Sequence, residues 1–148
     1  MAAITGSITI RRPVEEVFDF VADERNEPLY NPQMSSVEKA TPGPIGVGTL
    51  WHVTMASGRG TTPFDLEVTE YSRPSRLGSV TRMAAADIDG ALTFSADPEG
   101  TRMSWAWNLR PKGFLKIAAP VFAAVGRRQE QRIWKGLKAR LEGTHRPR

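Results

Sequence analysis

The chain has 148 residues, 40% of them hydrophobic and 24% charged, which suits one globular domain spanning 1–148 and is too apolar for a disordered chain. Cysteine is absent, which excludes disulfides, thiolate zinc sites and a cysteine nucleophile. The formal charge of +4 is uneven: from Lys112 onward ten Lys or Arg stand against Glu130 and Glu142, so the basic character belongs to the C-terminal segment.

Residues 1–10 show no basic leader followed by an apolar core, so a cytoplasmic location is expected. Ile4, Gly6, Ile8 and Ile10 alternate with Thr5, Ser7 and Thr9, the period of a half-buried strand. Pro13 then suits the first turn of a short helix whose stripe is Val14, Val17, Phe18 and Val21, ending near Asp23. From Asp23 to Pro32 polar residues mix with two prolines, which leaves room for one more short helical turn, anchored by Tyr30.

From Met34 onward the pattern is strand and turn. Val47 to Met55 reads as a strand with Val47, Thr49, Trp51, Val53 and Met55 on one face. Phe64, Leu66 and Val68 alternate in the next, Leu77 to Met83 runs back, and Asp87 to Phe94 presents Ile88, Leu92 and Phe94. Asp97-Pro98-Glu99-Gly100 is a hairpin signal into a last strand, where Met103, Trp105, Trp107 and Leu109 share a face. Connections this short force an antiparallel meander.

The remainder, from about Lys112 to Glu142, reads as one long helix with a kink or break at Pro120, and residues 143–148 as a disordered tail. Its least polar stretch, residues 113–126, is well short of the roughly 20 apolar residues that span a bilayer, so no integral membrane association is expected. A sheet with one apolar face needs a cover, and this helix is the element long enough to supply it.

The layout resembles the START-like helix-grip superfamily, also called birch-pollen-allergen-like or SRPBCC, and within it the polyketide cyclase/dehydrase branch. The likeness rests on Ile10-Arg11-Arg12-Pro13-Val14-Glu15-Glu16-Val17-Phe18, on Tyr30-Asn31-Pro32 where a tryptophan often replaces the tyrosine, and on Gly46-Val47-Gly48-Thr49-Leu50-Trp51. It covers essentially the whole chain. The resemblance implies an α+β helix-grip fold: a curved six- or seven-stranded antiparallel sheet around a long C-terminal helix, with one or two short helices after the first strand. It also implies a cavity for a hydrophobic or amphipathic small molecule, whereas chemistry varies widely on this fold.

Trp51, Phe64, Leu66, Phe94, Trp105 and Trp107 fall on strand faces that turn toward the helix, either as packed core or as cavity wall. A single helix of about 10 Å diameter cannot fill the concave side of such a sheet, so some of them line a void or a ligand. On the helix, Leu115, Ala119, Phe122, Gly126, Glu130, Ile133, Leu137 and Leu141 recur at spacings of three and four. Gly126 would make room for a ligand and Glu130 would orient it, unless Glu130 is rotated into solvent beside Arg127, Arg128 and Arg132. Tyr30 would either donate to a ligand oxygen or pin its loop.

His52 points outward by strand phase and His145 lies in the tail, so neither suits a catalytic base or metal ligand, and no metal or cofactor is expected. Three readings follow. The chain binds a hydrophobic or aromatic small molecule, lipid-like or polyketide-like, through Tyr30, Trp51, Phe64, Leu66, Phe94, Trp105, Trp107, Phe122, Gly126 and Glu130. Alternatively, it is a cofactor-free cyclase or dehydratase using Glu130 or Tyr30 for proton transfer, which requires at least two titratable groups near one point. Or the basic helix makes it a protein or membrane-surface adaptor, which requires an exposed apolar patch beside the basic stripe. No nucleic-acid partner is expected, for want of an aromatic-basic platform, and the chain is expected to be a monomer or homodimer.

Overall fold

The computed structural model describes residues 2–143. In chain order these form β1 (Ala2–Ile10), α1 (Val14–Ala22), a 3-10 segment (Glu24–Leu29), β2 (Met34–Lys39), β3 (Leu50–Ser57), β4 (Gly60–Ser72), β5 (Arg76–Arg82), β6 (Ala86–Asp97), β7 (Gly100–Pro111), a second 3-10 segment (Gly113–Ala118) and α2 (Ala119–Gly143). The seven strands make one antiparallel sheet in the order β1-β7-β6-β5-β4-β3-β2. Strands β2 to β7 follow one another through turns and loops, whereas β1 closes onto β7. The segment from α1 to Leu29 therefore carries the chain from one edge of the sheet to the other.

Curvature comes from local breaks in the ladder. The pairing slips by one residue at Met34/Ser36 in β2 and at Val68/Glu70 in β4, and each slip bends its strand. Gly90 in β6 adopts φ +149°, and a Cβ there would sit 2.0 Å from the Ala106 carbonyl oxygen, so only glycine permits that close approach. Helix α1 seals one end of the concave face, where Phe18 meets Tyr71 and Phe94 edge-on with ring centroids 5.3 and 5.2 Å apart.

The C-terminal segment breaks beside Pro120, as its sequence leads one to expect, but the part ahead of the break is a 3-10 turn and not α-helix. Pro120 takes the second position of α2, in the first turn, where a missing N–H costs no intrahelical bond. The chain therefore breaks ahead of it. Residues 113–118 form a separate 3-10 turn tethered by Lys112, whose Nζ donates to the Met83 carbonyl at 2.8 Å and pairs with Asp87 at 3.1 Å. The 25 residues of α2 extend about 37 Å. Gly143 belongs to this helix rather than to the expected tail, and 144–148, with His145, lie outside the described residues.

Helix α2 packs chiefly on β1, with a smaller contact to β7, instead of crossing the middle of the sheet. A cavity is left over β3 to β6. A second local difference is at Val47, expected in β3 but exposed, because Gly48 at φ +91° turns the chain and delays the strand to Leu50. Among the described residues no helix is long and apolar enough to cross a membrane.

Candidate functional site

The space between sheet and α2 is a cavity of about 260 Å³. Its wall is apolar over most of its extent, with Trp51, Phe64, Leu66, Val68, Leu77, Met83, Ile88 and Leu92 from the sheet and Ile133 from α2. One end is different. There Glu24, Glu27 and Asn31 from the 3-10 segment and its exit meet Glu130, Gln129 and Trp134 from α2 and Trp107 from β7.

Local chemistry explains why the 3-10 segment delivers two carboxyls together. Asp23 caps it by accepting from the Arg25 backbone N–H at 3.1 Å, and holds the Arg25 guanidinium at 2.8 and 2.9 Å, on the outside. In a 3-10 turn side chains three apart eclipse, so Glu24 and Glu27 stand on the same side. The Asn31 amide donates to Glu27 Oε2 at 3.0 Å, and Gln129 Nε2 donates to Gln33 Oε1 at 2.9 Å, joining the segment to α2. The helix comes close at Gly136, where a Cβ would lie 2.6 Å from the Tyr30 carbonyl oxygen.

Burial and mutual repulsion dominate the electrostatics of this end. Desolvation, then the neighbouring Glu27 carboxylate, push Glu130 up to about 8, while the indole N–H groups of Trp134 and Trp107 beside it pull the other way. Glu24 is raised well above the usual carboxylate range, by burial and then by Glu27, and Glu27 is raised chiefly by burial. The Tyr30 hydroxyl is likewise pushed up, by burial first and then by the same three carboxylates. The indole N–H groups of Trp107 and Trp134 are turned to the Glu130 carboxyl and Glu24 is turned to Glu27, while the buried indole Nε1 of Trp51 has no hydrogen-bond partner among the described residues.

The residues singled out from the sequence divide into two sets. Trp51, Phe64, Leu66, Trp107, Gly126 and Glu130 line the cavity, and Glu130 faces it rather than solvent. Tyr30, Phe94 and Trp105 are buried beside it in packed core. Phe94 is taken by Phe18, and Tyr30 sits between Phe20 and Trp134 with ring centroids 6.0 Å from each. Trp105 lies across Gly6 of the paired strand and reaches Trp134 at 6.1 Å. Phe122 was expected to face the ligand and does not: Ala123 is the buried residue of that turn, and Phe122 is 39% exposed. Counting back five turns from Leu141 within α2 lands on Ala123, one position past Phe122. Gly126 gives space to Ile4 rather than to the void, since a Cβ there would meet Ile4 Cδ1 at 2.6 Å.

Glu24, Glu27 and Trp134 escaped the sequence reading. The i,i+3 spacing of the two glutamates just ahead of Tyr30 was the available signal, together with Trp134 four residues after Glu130 on the same helix face. His52 lies on the outer face, its Nδ1 2.6 Å from Asp65 Oδ1. Among the described residues no three His, Cys, Asp or Glu side chains are arranged to hold a metal ion.

Comparison with known proteins agrees with this architecture. A START superfamily protein from Mycobacterium smegmatis superimposes with a TM-score of 0.82 at 12% identity, covering 96% of this chain and 98% of its own. The Zhui aromatase/cyclase from Streptomyces sp. R1128 gives 0.82 at 12% identity, over 98% of this chain and 96% of its own. The protein TTHA0849 from Thermus thermophilus gives 0.81 at 16% identity, over 98% of this chain and 100% of its own. Among curated proteins no sequence matches significantly. The sequence model of the family described as "polyketide cyclase / dehydrase and lipid transport" matches residues 1–142, and with the START-like helix-grip fold shared along nearly its whole length, this chain belongs to that family.

Proposed function

We propose that the protein binds a largely apolar, aromatic or lipid-like small molecule whose polar end sits against Glu24, Glu27 and Glu130. The observation that carries this reading is the cavity itself: a wall of large apolar side chains with the carboxyl and amide groups gathered at one end. Burial of ligand against Trp51, Phe64, Leu66 and Trp107 supplies most of the binding energy, at roughly 25 cal/mol per Å² of apolar surface. The polar end sets orientation. Native mass spectrometry of the protein purified from its own host, with extraction of bound material, is expected to yield a stoichiometric hydrophobic compound carrying one polar group. Protein that remains empty, even when offered lipid and polyketide extracts of that host, would count against the reading.

The same polar end favours a second reading, a cofactor-free cyclase or dehydratase. More than one titratable group stands near one point, and Glu130, held at about 8, is a neutral acid that can also accept a proton near neutral pH. The family description and the aromatase/cyclase neighbour lend this reading support. Glu130 would carry the proton, with burial first and then the Glu27 carboxylate keeping it protonated.

A surface feature bears on the adaptor reading. Phe114, Ile117, Val121, Phe122 and Val125 are exposed by 83, 87, 65, 39 and 58% along the second 3-10 segment and the start of α2. The stretch 112–129 contains Lys112, Lys116, Arg127 and Arg128 and no acidic residue. That combination suits an anionic lipid surface, into which the apolar side chains insert while the cations meet headgroups. In co-sedimentation, the protein is expected to pellet with phosphatidylserine vesicles and to lose this on Phe114→Ser with Ile117→Ser. Equal pelleting by the doubly substituted protein would remove the strip from consideration.

A further inference from the structure

We propose that the ligand held in the cavity carries a protonated amine, seated at the polar end between the carboxyl groups of Glu24, Glu27 and Glu130. The inference rests on the reading that the cavity binds a small molecule and names the chemistry of that molecule's polar end.

Charge at this end is one-sided. The cavity is lined by three glutamates and, among the described residues, by no Lys, Arg or His. The cation nearest in sequence, Arg25, is already committed: its guanidinium is held by both oxygens of Asp23 and lies 5.8 Å from the Trp51 ring centroid. The other groups beside the carboxyls are neutral, namely Tyr30 and Asn31 after the 3-10 segment, Gln129 and Trp134 of α2, and Trp107 of β7. Asn31 satisfies one oxygen of Glu27, and among the described residues the buried Glu24 carboxyl has only the Glu27 carboxyl as its hydrogen-bonding neighbour. Three acids crowded in a poorly solvated corner disfavour one another's ionised forms, and a cation stabilises those forms where a neutral group cannot.

Trp107 and Trp134 border the carboxyls, and their indole N–H groups favour the ionised form of Glu130 that an ammonium would pair with. A carboxylate or phosphate ligand would bring an anion against acids whose ionised forms are already disfavoured. An alcohol or ketone would gain a hydrogen bond and no charge interaction.

Because Glu130 is held protonated up to about 8, an ammonium entering at neutral pH displaces a proton from the acid cluster. Binding is thus coupled to proton release, which gives a readout independent of affinity.

The test uses three probes with one ring and three end groups: naphthylmethylamine, naphthylmethanol and naphthoate, titrated calorimetrically at neutral pH in buffers of different ionisation enthalpy. The amine is expected to bind at least about tenfold tighter than the alcohol, with naphthoate weakest, and to release about one proton per molecule bound. Glu24→Gln with Glu130→Gln is expected to bring amine and alcohol within about threefold of each other. If alcohol or naphthoate binds as tightly as the amine, or if no proton is released, the amine assignment is overturned while the cavity reading stands. If none of the three binds, the cavity reading itself fails and takes the amine with it. The ranking in the unsubstituted protein decides the matter even if the double variant does not fold.

Discussion

Between about pH 5 and about pH 9 the protein is expected to lose on the order of 4 kcal/mol of folding stability through Glu130 alone. The sign follows from the direction of the shift. In the unfolded chain Glu130 loses its proton near 4.5, whereas the folded protein keeps it to about 8, so over that window the native state binds more protons. Stability then falls as pH rises, and the loss is complete once the folded-state value is passed. Glu24 and Glu27 are shifted the same way and steepen the fall. Urea unfolding at a series of pH values is the measurement. Glu130→Gln retains shape and polarity without a titrating proton, so its profile should be flatter and its midpoint higher than that of the parent at alkaline pH. Identical slopes in both proteins would mean that Glu130 is solvated and the polar end is not the desolvated site described above. The same variant separates carrier from enzyme, because it should keep binding an apolar ligand and abolish any proton transfer that depends on Glu130.

Trp134→Ala should cost about 3–5 kcal/mol, the range for deleting a large buried aromatic side chain. Its ring is the middle of a continuous array, 6.0 Å from Tyr30 on one side and 6.1 Å from Trp105 on the other, and that array fastens α2 both to the loop after the 3-10 segment and to β7. Alanine would leave a void where those three elements join. Trp134→Phe isolates the electrostatic part: it keeps an aromatic ring and removes the N–H that favours ionised Glu130. Phenylalanine is expected to cost much less stability and to move the Glu130 midpoint further upward. Equilibrium unfolding gives the first effect, and the pH profile gives the second. A loss for alanine below about 1 kcal/mol would show that α2 is fastened elsewhere.

How much of this could be read beforehand depended on regularity. Strand phase alone put Met103, Trp105, Trp107 and Leu109 on the inward face of β7, and the structure buries the first, second and fourth while turning Trp107 to the cavity. The same argument left Glu130 either on the apolar stripe of the last helix or turned to solvent, and in the structure it lines the void. Both inferences rest on side-chain periods of two and 3.6, which hold wherever backbone hydrogen bonding repeats. Phe122 shows the limit: spacings of three and four admit either Phe122 or Ala123 on the inner stripe, and only the packed helix selects Ala123.

Order of strands along the chain, the antiparallel meander and the need for a covering helix were thus determined by the amino-acid sequence itself, because each follows from local periodicity and turn chemistry. Which aromatic rings face a void and which fill the core was decided by tertiary structure. So was the meeting of Glu24 and Glu27 with Glu130, more than 100 residues later in the chain. The physical reason is that α2 lies over β1 rather than across the sheet, and that Gly136 lets it reach the Tyr30 loop; contacts between distant, irregular segments leave no period to read.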